Sequence, residues 1–312
     1  MAFTASDVKN LREMTGVGMM DCKKALTEAD GDIDKAVEYL REKGLATAQK
    51  KAGRIAAEGV CRAYVSETGE AAVVEVNIET DFAAKNEDFQ RFAEGVAEAV
   101  AMNNPADVDA LMAMTYPGSK MTVTEMQQDK ILVIGENIKV RRFTRYSGGV
   151  SVPYIHMGGK IGVLVNMDVS DNIKDNPIVQ ELGKDLAMQI AAMRPLYLDK
   201  SIVSEAVIDK EREIQLAKAI EENKAKNLPD DKARQVAEKM VIGRINKFYE
   251  EMCLMQQAYV KESKITVEKH VAEIAKELGG TIKVAAFARF ETGEGIEKKS
   301  DNFADEVAGM VK

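Results

Sequence analysis

Glu75-Val76-Asn77-Ile78-Glu79-Thr80-Asp81-Phe82-Ala83-Ala84-Lys85 joins two different patterns. A β-rich run over residues 72–78 enters it, and a run with helical spacing leaves it near Asn86. The spacing predicts a strand, a polar connection carrying Phe82, and then a helix. An aromatic beside a carboxylate on such a connection can reach into a partner from a rigid base. The competing reading is a Phe that folds back onto its own core, which is what aromatic side chains mostly do.

Working outward, residues 60–65 and 72–78 read as strands around Glu67-Thr68-Gly69-Glu70, a hairpin turn. A helix is predicted from about Glu87, with Phe89, Phe92, Ala93, Val96 and Val100 at helical spacing. An irregular stretch with Pro105 and Pro117 leads to a strand over 138–146. The same order then recurs. Residues 153–156 and 161–167 flank Met157-Gly158-Gly159-Lys160, and a helix is predicted over 177–193. Val76-Asn77 parallels Val165-Asn166 (165 − 76 = 89), and Thr80-Asp81 parallels Ser170-Asp171 (170 − 80 = 90). Ile138-Lys139-Val140 parallels Ile282-Lys283-Val284 (282 − 138 = 144). Two related α/β units follow from these offsets, the second with an insertion of 144 − 90 = 54 residues. The insertion reads as two helices around Asn227-Leu228-Pro229-Asp230. The second of them carries Ala233, Val236, Ala237, Met240, Val241, Ile245 and Phe248 on one stripe. That is an antiparallel helical hairpin.

The N-terminal segment reads as three short helices. Thr4 or Ser6 caps the first, which has Val8, Leu11 and Met14 on one side, and Gly16-Val17-Gly18 breaks it. Asp32 caps the third, and Gly44 closes it. A basic linker, 49–54, follows. A module this small is marginal alone. At the other end, a helix over 266–278 stops at Gly279-Gly280, and Asp301 is placed to cap a last amphipathic helix with Phe303, Val307 and Met310.

Composition excludes several classes. Net charge is −8, which argues against broad contact with a nucleic-acid backbone. Cys22, Cys61 and Cys253 are far apart and odd in number, so neither a disulfide framework nor a zinc site is expected. No apolar run reaches the roughly 20 residues that cross a bilayer, and residues 1–7 lack the pattern of a secretory signal. A cytoplasmic location is expected. No Gly-x-x-x-x-Gly-Lys-Ser/Thr loop and no Gly-x-Ser-x-Gly elbow occurs. Gly293-Glu294-Gly295 opens like a dinucleotide fingerprint, but it follows the last strand and has Lys298 at its sixth position. Glu75, Glu79 and Asp81 form an acidic group that could hold Mg²⁺ or supply an acid and a base. The main expectation is no catalytic residue, no metal and no cofactor. A polypeptide-binding module without effect on a nucleotide, and a Mg²⁺-dependent enzyme on those three carboxylates, are the rival classes.

Two stretches are specific. Leu11-Arg12-Glu13-Met14-Thr15-Gly16-Val17-Gly18-Met19-Met20-Asp21-Cys22-Lys23-Lys24-Ala25-Leu26 resembles the N-terminal signature of the elongation factor Ts family, and residues 75–85 resemble its second signature. Further likeness lies in Ile134-Gly135-Glu136-Asn137-Ile138, in His156 with Ile161-Gly162-Val163-Leu164-Val165, and from Arg289-Phe290 to Lys298. Ala83 stands where the family usually has Val, and Ile78 where Cys or Ser is common. The resemblance implies an α+β chain: a three-helix domain like a ubiquitin-associated domain (1–54), a first core unit (55–147), a second core unit (148–200 and 263–292) interrupted by a helical coiled-coil hairpin (201–262), and a C-terminal module (293–312). It implies guanine-nucleotide exchange on elongation factor Tu, bound with GDP or without nucleotide, and no direct nucleic-acid or membrane partner. Thr80, Asp81, Phe82 and Ala83 are then the exchange contact, with Phe82 wedged beside the partner's Mg²⁺ site. Arg12, Met19, Met20, Lys23, Ile134, Gly135 and His156 are further implied contacts. His156 could equally hold the Gly158-Gly159 turn, and Met19 and Met20 could be core of the small module. A homodimer through the helical hairpin stays open.

Overall fold

The computed structural model describes residues 3–225 and 229–297, and it is a mixed helix-and-sheet fold of the α+β kind. The chain forms two compact units. One comprises the residues up to Ser147, Ile155–Gly162 and the stretch from Phe290; the other comprises Gly148–Tyr154 and Val163–Arg289.

The first unit opens with α1 (Ala5–Thr15), α2 (Met19–Glu28) and α3 (Ile33–Lys51). Thr4 and Asp7 form a capping box at the start of α1, and Gly16, at φ 69°, ends it in the left-handed region that glycine tolerates. The Asp32 side chain accepts from the Lys35 amide to start α3. Leu11, Cys22, Leu26 and Leu40 are the buried centre of this module. Two expectations fail here. Met14 lies on the exposed side of α1. Gly44 does not end α3, which runs on to Lys51, so residues 49–51 are helix and not linker. A Cβ on Gly44 would sit at ordinary contact distance, 3.4 Å, from the Gln128 carbonyl oxygen, so α3 passes close to the later helix that carries Gln128.

The strands β1 (Glu58–Val65) and β2 (Ala71–Ile78) follow, then the single turn α4 (Asp81–Ala84) and α5 (Glu87–Asn103). The stretch expected to be irregular holds two helices, α6 (Val108–Ala113) and α7 (Val123–Ile134), before β3 (Ile138–Tyr146). The strand order is β1-β2-β3, antiparallel, with Val76 opposite both Val60 and Val140. Alternate residues Val74, Val76 and Ile78 pack with Phe89, Phe92, Val96 and Val100 of α5. α7 shows no single apolar stripe because it serves two cores. Val123 and Ile131 enter the sheet's core, whereas Leu132 and Val133 pack on the three-helix module. The small module thus gains from α7 the apolar partner that its size requires.

β4 (Val150–His156) leads through a 3₁₀ turn, Met157–Gly159, to β5 (Ile161–Val169) and α8 (Pro177–Met193), with Ile155–Gly162 of this stretch counted in the first unit. The helical hairpin is α9 (Glu205–Ala225) and α10 (Asp230–Met252). Ala233, Ala237, Val241 and Ile245 are buried along its seam, while Val236 is exposed and lies off the stripe. Arg244 pairs with Glu222 across it at 2.6 Å. A two-stranded ribbon that the sequence did not announce, β6 (Ala258–Tyr259) and β7 (Glu262–Thr266), comes next, then α11 (Val267–Glu277) and β8 (Ile282–Glu291). The sheet order is β4-β5-β8. The helix expected from Asp301, with Phe303, Val307 and Met310, lies outside the described residues.

The repeat is visible in matched hydrogen bonds. Asn77 Nδ2 donates to the Glu58 carbonyl at 3.1 Å, and Asn166 Nδ2 to the Gly148 carbonyl at 2.9 Å. Asn86 and Asn176 cap α5 and α8, and Thr122 and Thr266 cap α7 and α11. α7 is therefore the counterpart of α11.

Candidate functional site

β2 delivers the chain to Thr80, whose hydroxyl accepts from the Ala83 amide at 3.2 Å and caps the one turn of α4. Asp81 and Phe82 occupy the outer side of that turn. Phe82 is 82% exposed, so it does not fold back onto the core. Ala83, by contrast, is half-buried and packs on the sheet's core, as does Ala84. The smaller side chain at Ala83 anchors the turn, and Ile78, fully buried, fills the core beneath.

Lys85 serves both outer residues. Its Nζ donates to Asp81 Oδ2 at 2.9 Å and lies 5.5 Å from the Phe82 ring centroid. The hydrogen bond from Lys85 holds the Asp81 carboxyl below its ordinary 3.8, which leaves it ionised at neutral pH.

The turn is fixed to the loop between α7 and β3. The Glu136 carboxylate accepts from the Thr80 amide at 3.0 Å and from the Thr80 hydroxyl at 2.8 Å. Reciprocally, Glu79 Oε1 accepts from the Asn137 amide at 2.6 Å, and its Oε2 pairs with Arg54 at 3.5 Å. Lys51 Nζ donates to the Gly135 carbonyl. Gly135 itself, at φ 83°, is the exposed C-cap of α7, and Ile134 is half-buried beside it. The structure therefore brings Thr80, Asp81, Phe82 and Ala83 together with Ile134 and Gly135. Val133, one residue before Ile134, is also the nearest neighbour of Gly16, so the same helix end carries the three-helix module. On that module Arg12, Met19, Met20 and Lys23 are exposed, Met19 at 50% and Met20 at 74%. Neither methionine takes the core place that was the alternative for them: α2 turns Cys22, Ala25 and Leu26 inward.

His156 lies elsewhere, half-buried at the end of β4. It makes no side-chain cap to the 3₁₀ turn. Arg62 Nη1 donates to the Gly158 carbonyl, and Thr292 Oγ1 to that of Gly159. These two side chains hold the turn.

The acidic group proves to be dispersed. Glu75 is fully buried and meets Arg141 at 2.9 Å, Arg142 at 2.6 Å and the Gly293 amide at 2.8 Å. Glu79 faces Arg54 and Asp81 faces Lys85. Among the described residues no group of three or more His, Cys, Asp and Glu is placed to hold a metal ion. No helix among them is long and apolar enough to cross a membrane. Glu136, Asn137, Arg54 and Lys51 are not among the site residues expected from sequence; Glu136 and Asn137 lie inside a motif quoted above, beside the two residues chosen from it.

The turn thus presents an exposed aromatic beside a carboxylate, tied at two points to the loop between α7 and β3. The comparisons with known proteins give the family. Residues 79–294 match the model of the family described as Elongation factor TS. The chain is 49% identical over 315 residues to the elongation factor Ts of Syntrophotalea carbinolica, with 100% of each covered. It is 50% identical over 310 residues to that of Clostridium perfringens, covering 98% of each, and 50% identical over 312 residues to that of Clostridium acetobutylicum, covering 99% of this chain and 98% of that one. The chain belongs to the elongation factor Ts family, and its place is in translation elongation.

Proposed function

We propose that the chain is a guanine-nucleotide exchange factor that binds GDP-loaded elongation factor Tu, in the cytoplasm, and promotes release of GDP. Family membership supports the partner, and one observation carries the mechanism: Phe82 is held out in solvent beside an ionised Asp81. Phe82 wedges into the partner's nucleotide-binding domain near its Mg²⁺ site and loosens the hold on metal and phosphate. Thr80 and Ala83 fix the wedge. Ile134 and Gly135 dock next to it, Arg12, Met19, Met20 and Lys23 dock the ubiquitin-associated-like module, and His156 adds a contact at a separate edge. GTP then enters the emptied site.

Such a reaction asks no proton transfer of this chain. It is a coupling of two ligands on one partner, so whatever factor this protein takes from GDP affinity, GDP takes from its own binding. Binding energy from the remote module is converted into distortion at the nucleotide, about 1.4 kcal/mol for each tenfold in release rate. The test is release of a fluorescent GDP analogue from elongation factor Tu with and without the chain. Strong acceleration is expected; binding without acceleration would reduce the chain to a polypeptide-binding module.

A further inference from the structure

We propose that Glu136 is a positioning residue for Phe82: its carboxylate, gripping both the amide and the hydroxyl of Thr80, sets the direction in which the Asp81–Ala84 turn leaves the sheet. The proposal rests on the exchange-factor reading above and deepens it.

The grip uses both carboxylate oxygens, Oε2 on the amide at 3.0 Å and Oε1 on the hydroxyl at 2.8 Å. A two-point hold fixes orientation as well as distance, and a charged acceptor strengthens both bonds. It also assigns the Thr80 hydroxyl. That group has one proton, which goes to Glu136, so a lone pair is left to accept from the Ala83 amide. A helix of four residues has almost no stability of its own, so its geometry depends on this cap. Beside the grip, Glu79 holds the Asn137 amide, and two consecutive residues on each loop are thus joined crosswise.

The second core unit supplies an internal control. There Ser170 stands in the place of Thr80 and Gly280 in the place of Glu136, by the same offsets that define the repeat. The Ser170 amide donates to the Thr281 carbonyl at 3.0 Å, and the Ser170 hydroxyl accepts from the Thr281 amide at 2.9 Å. Backbone closes that loop directly. A Cβ on Gly280 would lie 2.6 Å from Ser170 Oγ, so no carboxylate-bearing side chain fits. Asn172, in the place of Phe82, donates back to the Gly279 carbonyl at 3.0 Å instead of projecting. The carboxylate is present in the copy whose loop holds an apolar ring in water and absent from the copy whose loop folds onto itself.

The experiment measures the maximal rate of GDP release from elongation factor Tu at saturating chain for the wild type, Phe82→Ala, Glu136→Ala, Glu136→Gln and the double Ala variant. A misplacement of about 1 Å can cost up to about a hundredfold, so Glu136→Ala is expected to lower the maximal rate about tenfold while the half-saturating concentration changes little. Glu136→Gln, of the same shape but with one uncharged acceptor oxygen where the grip uses two, is expected to restore only part of the rate. The double variant is no slower than Phe82→Ala, because Glu136 acts through Phe82. A wild-type maximal rate in Glu136→Ala beside a slow Phe82→Ala would overturn the positioning role and leave the exchange reading standing. Additive losses in the double variant, or unfolding of Glu136→Ala in a thermal melt, would overturn it too, since the residue would then act independently or structurally. A normal rate in Phe82→Ala would sink the wedge itself, and with it this inference.

Discussion

At the scale of single residues, exposure and charge set Phe82 apart from Glu75. Phe82, at 82%, is the most exposed of the large apolar side chains among the described residues. Glu75, seven residues before it, is the opposite: a carboxyl group fully withdrawn from solvent and matched by Arg141, Arg142 and the Gly293 amide. Removing one partner of such a set leaves charge uncompensated, so Glu75→Ala is expected to lower stability by about 3 kcal/mol, near the low end for a buried pair because both arginines keep some solvent contact. Urea unfolding followed by circular dichroism measures it. Gly293 cannot be replaced either, since at φ 74° a Cβ would lie 2.1 Å from the Ala57 carbonyl oxygen.

At the scale of elements, turns and caps were legible and contacts between elements were not. The β1–β2 turn followed from Gly69, and Thr4, Asp32 and Asn86 sit at helix starts as their chemistry demands. The turn also carries a pH signature. Hydrogen bonds from Ser66 and then Thr68 hold the Glu70 carboxyl down at about 2, against an ordinary 4.5. A carboxyl depressed in the folded state stabilises fully above its unfolded value, and that contribution is lost as pH falls from about 4.5 towards 2. Glu70→Gln should therefore flatten the loss of stability across that window and leave its slope near neutrality unchanged, as read from urea midpoints against pH. Gly44 shows what a linear pattern misses. In sequence it is a stop signal; in the fold it is the place where α3 comes against Gln128 of α7. Gly44→Leu is expected to lower the melting temperature by pushing the two helices apart, although leucine is the better helix former. α6 and α7 escaped notice because their apolar residues serve neighbours on more than one side, which erases a single stripe.

At the scale of the whole molecule, duplication explains both what could be read and what could not. Matched residue pairs exposed two copies of one sheet-and-helix unit, and the structure supplies matching sheets and matching caps. The candidate site was half legible. The motif around Phe82 and the pair Ile134-Gly135 were named from sequence, because short signatures survive in linear order. The carboxylate clasps between Glu136 and Thr80 and between Glu79 and Asn137 were not, because they link residues more than fifty positions apart. In one copy the side chain of Asn172 folds back onto the neighbouring loop, and in the other the same place points outward at Phe82. The central claim is that the outward residue is the working part. The most direct measurement is the rate of GDP release from elongation factor Tu at saturating chain, wild type against Phe82→Ala, with binding checked in parallel. The account predicts binding retained and release slower by about tenfold or more, roughly 1.4 kcal/mol of lost distortion energy. Equal release rates from a folded, partner-bound Phe82→Ala chain would contradict it.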